Sequence, residues 1–178
     1  MMQKAGFLLA LVLFFSVAAV AQQTTPKIEV FGGYSHLFAD LNDTSFNLDG
    51  VHVSAAENLN SWLGGVFDFS SHYGTRAGVN VNMQSIMYGP RFAYRKSKLV
   101  TPSAHFLLGA VRGSPGFDGI SMSNYRFSVA GGGEIDIRIT DKVAFRVVQA
   151  DYMLTRFLNL RQDNIRISTG FVFRFPRW

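Results

Sequence analysis

The 178-residue chain contains no cysteine at all. Disulfide frameworks, thiol chemistry and attachment of lipid through a cysteine are therefore excluded. Long apolar runs are also missing, apart from one at the N-terminus, so no later segment can cross a membrane as a helix. Histidines number four, at 36, 52, 72 and 105, and no two have metal-ligand spacing on one strand. Basic residues exceed acidic ones, 17 to 12, but they are mostly arginines spread singly along the chain. That spacing does not make the clustered patch of a nucleic-acid binder. No cofactor is implied.

Residues 1–21 read as a cleaved secretory signal. Lys4 supplies a positive start, Ala5 to Val20 is continuously apolar, and Ala19 and Ala21 are small residues at the positions a signal peptidase reads. The run is short for a membrane helix. The mature chain then begins at Gln22, its formal net charge falls from +5 to +4 with the loss of Lys4, and residues 22–178 form one domain.

What the chain does have is alternation. In residues 164–175, NIRISTGFVFRF, one parity holds Ile165, Ile167, Thr169, Phe171, Phe173 and Phe175, and the other holds Arg166, Ser168, Gly170 and Arg174. Such a strand suits a wall between lipid and a polar interior. A soluble sandwich could show the same alternation, so the pattern alone does not name the solvent; the export signal does more. Eight segments of this kind are expected, at about 27–38, 49–57, 62–72, 83–95, 101–112, 124–139, 143–154 and 164–176. Only helices and closed barrels satisfy every backbone group in lipid. The expectation is therefore all-β: an eight-stranded antiparallel up-and-down transmembrane β-barrel.

The connections alternate between short ones (58–61, 96–100, 140–142) and longer polar ones (39–48, 73–82, 113–123, 155–163). Short turns on one side and long loops on the other is the outer-membrane pattern, with both termini in the periplasm. Tyr34, Tyr125 and Tyr152 fall near the loop side and Trp62, Tyr94 and Trp178 near the turn side, as two interfacial girdles. Pro90 and Pro102 lack a ladder donor, so a bulge or strand end is expected at each. In the seventh strand Arg146 has the opposite parity to Gln149 and Asp151, and a bulge at Val147 and Val148 would turn all three inward. Phe31 shares the inward parity of Glu29.

An eight-stranded barrel is just wide enough for its own side chains to fill it. The inward charges by parity are Glu29, Asp68, Arg91, Arg95, Arg126, Glu134, Asp136, Arg138, Arg146, Asp151, Arg166 and Arg174. Buried charges persist when paired. Arg91, Glu134, Asp136, Arg138, Arg146, Asp151, Arg166 and Arg174 are expected to form a lumen network, with Glu134 and Asp136 beside Arg146 and Asp151 beside Arg166. A narrow water-filled channel is the competing reading.

The motifs YGPR (88–91), AGGGE (130–134), FRVVQADY (145–152) and RISTGFVFRF (166–175) make the mature chain resemble the outer membrane protein β-barrel domain family, the OmpA-type transmembrane barrels. The resemblance implies that Phe171, Phe173 and Phe175 form the C-terminal signal read by the barrel-insertion machinery, with Trp178 off register. It implies outer-membrane lipids, lipopolysaccharide and periplasmic chaperones as further partners. No residues remain for the peptidoglycan-binding domain of larger members. A structural or surface-interaction role follows, with the longer loops facing an unidentified ligand; a narrow porin-like channel is the alternative. A lipid-modifying hydrolase would need His72 with Ser70 or Ser71 and Asp68, but Asp68, Ser70 and His72 carry the inward parity. A soluble ligand-binding barrel would need polar outer faces. No catalytic or metal residue is assigned.

Overall fold

The computed structural model describes residues 25–41, 44–76, 79–116, 124–157 and 160–176. The expected signal at 1–21 and the girdle position Trp178 lie outside the described residues. Eight strands follow in order: β1 (Ile28–Leu41), β2 (Thr44–Asn58), β3 (Leu63–Arg76), β4 (Val79–Ala93), β5 (Val100–Gly116), β6 (Asn124–Arg138), β7 (Val143–Phe157) and β8 (Leu160–Phe175). Each pairs antiparallel with its chain neighbours, and β8 returns to β1 with Ile28 opposite Phe175, closing the barrel.

The alternation decides the two faces. Val51, Val53, Phe67, Ile86, Phe92, Phe106, Leu108, Phe127, Ile135, Ile165, Phe171 and Phe173 all stand exposed on the outer wall. A continuous apolar surface of this extent needs an apolar solvent. The opposite parity is buried and mostly polar or charged.

The strands run further on the loop side than their composition suggests. Of the loops expected at 39–48, 73–82 and 155–163, most residues belong to strands, which end at Leu41, Arg76 and Phe157 and resume at Thr44, Val79 and Leu160. A strand of 15 residues is about 50 Å long, well over what a membrane band about 25 Å tall requires at a tilt of about 40°. The excess rungs stand clear of lipid. There Asn47, Asp49, Asn80 and Asn82 are exposed without ending the ladder, which is why polar composition misplaced the boundaries.

The short turns share one device. Asn60 Oδ1 accepts from the N–H groups of Trp62 and Leu63 at 2.9 and 2.8 Å. Thr140 Oγ1 accepts from Lys142 and Val143 at 3.3 and 3.0 Å. Ser97 Oγ does the same for Leu99 and Val100 at 3.3 and 3.2 Å. A short polar side chain thus satisfies the corner donors in each case.

Pro102 falls where the β4·β5 pairing ends. Its carbonyl accepts from Tyr94 N at 2.9 Å, and its own nitrogen, facing the same way, has nothing to donate. Pro90 differs from expectation. The β4·β5 rungs are interrupted between Tyr88↔Leu108 and Arg91↔His105, yet the register on either side is the same. One donor is lost and no residue is inserted, so there is neither bulge nor strand end. The bulge in β7 is present. Ile135 faces Val148 but Asp136 faces Arg146, leaving Val147 as the extra residue.

Candidate functional site in the barrel lumen

Every strand places polar side chains on the axis, and they meet in one connected network. Five carboxylates (Glu29, Asp68, Glu134, Asp136, Asp151) and five guanidiniums (Arg91, Arg95, Arg146, Arg166, Arg174) take part. At its centre Arg166, fully buried, holds both oxygens of Asp68 at 2.8 and 3.0 Å and reaches Asp151 at 2.7 Å. This two-pronged geometry is the one in which a guanidinium best matches a carboxylate. Arg146 grips Asp136 in the same way, at 2.8 and 3.1 Å, and its planar head lies 4.5 Å over the Phe31 ring. The inward Phe31 thus has a use beside a cation. Gln149 joins the two pairs, accepting from Arg146 at 2.6 Å and donating to Asp151 at 3.0 Å. The bulge at Val147 makes this possible, because Arg146, Gln149 and Asp151 are all buried.

Arg91 extends the network across the lumen, to Glu134 at 2.6 Å and Glu29 at 2.8 Å. Glu29 also receives Arg95 at 2.7 Å and Arg174 at 3.1 Å. Arg138, half-buried, pairs with Asp141 of the β6–β7 turn at 3.5 Å.

Three histidines belong to the lumen and were not expected there as partners. His105 spans Glu134 and Asp151 at 2.8 and 2.7 Å, an arrangement that uses a donor on each ring nitrogen. His52 lies 2.6 Å from Asp68 and 3.1 Å from Ser168. His72 meets Ser35 at 2.8 Å. The signal for them was parity: His105 alternates in step with Ser103. Parity gives the face of a side chain but not its height, so cross-lumen pairs such as Glu29 with Arg91 remained hidden. His72, Ser70 and Asp68 do not assemble as a hydrolytic set, because Ser70 bonds Ser85 at 2.7 Å and Asp68 is held by Arg166 and His52.

Gly132 has a specific reason to be glycine. A Cβ there would run into the Asp151 carboxylate and the Ala150 carbonyl, so its bare backbone leaves the space that Asp151 occupies. Loop-ward of the charges the inner positions turn largely apolar. Leu37, Leu48, Met83, Val111 and Met153 are buried together, and Ser128 and Thr155 satisfy each other at 3.0 Å.

On the outside, Phe171, Phe173 and Phe175 all face outward. Trp62, which stacks on Phe92 at 6.1 Å, and Tyr94 are exposed on the turn side, and Tyr34, Tyr125 and Tyr152 are exposed elsewhere on the outer wall. Tyr34 donates to Asp49, which also lies 2.7 Å from His36 Nδ1.

The family profile "Outer membrane protein beta-barrel domain" matches residues 7–175. The chain belongs to this family. Among solved structures it is similar to Neisserial surface protein A, with 16% identity, a TM-score of 0.75, and coverage of 84% of this chain and 97% of that one. It is similar to Ail, the attachment invasion locus protein of Yersinia pestis, at 15% identity and TM-score 0.58, covering 84% and 99% of the two chains. It is also similar to OprG from Pseudomonas aeruginosa, at 9% identity and TM-score 0.60, covering 86% and 98%. At these identities the likeness is one of fold. A search of curated proteins gives no match. As a member of this family the chain is an integral barrel of the outer membrane.

Proposed function

We propose that this barrel is a non-conducting, non-enzymatic element of the outer membrane, exported with residues 1–21 removed and both termini in the periplasm. Its role is structural or one of surface interaction, carried by the loop-side rim. The observation that carries the reading is the set of side chains that meet across the lumen. A ten-member ion-pair network crosses the barrel, and a cavity of about 10 Å³ lies among Glu29, Asp68, Arg91, His105 and Glu134. That is room for about one water. Leu37, Leu48, Met83 and Met153 add an apolar obstruction loop-ward of it. The proposed partners are outer-membrane lipids and lipopolysaccharide around the wall, and the insertion machinery and periplasmic chaperones during assembly, with Phe171, Phe173 and Phe175 as the strand end they read.

The test is planar-bilayer conductance of refolded protein, restricted to material whose gel mobility shifts on boiling. The expected result is silence. Discrete conductance steps from folded protein would overturn the plug and make Arg91, Glu134 and Arg146 pore-lining residues.

A further inference from the structure

At the turn-side mouth the ion pairing that fills the lumen comes to an end in a cavity of about 260 Å³. Among the described residues its wall carries four cations, Arg95, Arg138, Lys142 and Arg174, with Asp141 as the carboxylate and Thr101 as a neutral donor. Glu29 lies behind this wall, but it is already shared by Arg91, Arg95 and Arg174.

The mouth is also built rather than loosely solvated. Arg174 N donates to Lys142 O at 2.8 Å, which docks the β6–β7 turn on β8, and Arg138 N donates to Leu99 O at 2.8 Å, which ties it to the β4–β5 turn. Arg174 is 6% exposed. Its Nε is committed to Glu29, but its buried Nη2 has no acceptor among the described residues. A buried guanidinium N–H without an acceptor is rare in folded proteins. Its position on the wall of a cation-lined cavity indicates what the acceptor would be.

We propose that this mouth is an anion site that takes a phosphate monoester or inorganic phosphate. A multiply charged oxyanion suits several converging cations, and guanidinium forks match its oxygens. A recessed cavity with walls of one sign also concentrates counter-ions. The phosphate comes either from solution or from the headgroup of a neighbouring lipid.

The test is a titration of isotope-labelled barrel in phosphatidylcholine nanodiscs with inorganic phosphate at constant ionic strength, following amide signals of the 139–142 and 95–99 turns. Saturable shifts are expected. Arg138→Gln and Lys142→Gln should each weaken binding by about tenfold, the loss of one charge-assisted bond. A second arm replaces free phosphate with nanodiscs containing phosphatidic acid. The same shifts appearing only there would assign the phosphate to a lipid headgroup and uphold the site. Absence of saturable shifts in both arms would overturn it. So would equal shifts with chloride, or unchanged affinity in both variants that still show the folded gel mobility.

Discussion

Arg166 shows what a residue must do to live on the axis of so narrow a barrel. It is the largest fully buried side chain, and it neutralises Asp68 and Asp151 together. Arg166→Ala would strand two carboxylates out of water. Breaking a buried pair in this way costs about 3–5 kcal/mol. The urea midpoint of the folded band should fall accordingly, whereas Lys98→Ala, at an exposed position of the β4–β5 turn, should change stability by less than about 1 kcal/mol. Equal effects of the two would show that the network does not carry stability. At this scale the sequence was informative about faces and silent about partners. Arg166 with Asp151 was legible because β7 and β8 are adjacent. Arg166 with Asp68 was not, because 98 residues separate them and only the curvature of the closed sheet brings them together.

Among the elements β7 is the most instructive. Its parity conflict could be read directly, since a strand that must turn Arg146, Gln149 and Asp151 to one side needs an additional residue. Val147 is that residue, outward and 43% exposed. Its removal would leave Arg146 inward, Val148 outward and Gln149 inward, which is regular alternation. The rungs to β6 and β8 on either side of the bulge would then fall into one register. Deleting Val147 should therefore give a barrel that still folds and keeps the heat-modifiable gel shift. Deleting Ile167 from the regular strand β8 should abolish that shift, since a one-residue slip turns every following side chain to the wrong face. Failure of the Val147 deletion would mean that the local twist of the bulge, not its parity, is what the barrel needs. Strand ends were the least legible element feature, because polar residues above the membrane neither require nor forbid a ladder.

Across the whole molecule, side chains from all eight strands enter the same lumen cluster, from Glu29 and Ser35 of β1, His52 of β2, Asp68 of β3 and Arg91 of β4, to His105, Glu134, Arg146 and Arg166 of β5 to β8. No strand can leave without exposing a charge that another depends on. Unfolding in urea should accordingly be a single transition, with far-UV circular dichroism and tryptophan fluorescence coincident. Separated midpoints would indicate that part of the wall opens while the rest holds. The closing seam adds a constraint on timing. β1 has only one neighbour until β8 arrives, and Asp68 waits for Arg166, 98 residues away. A chain still being delivered therefore carries two open edges and an unbalanced carboxylate. The last strand acts as a latch, and this barrel has no half-built form in which it could safely rest.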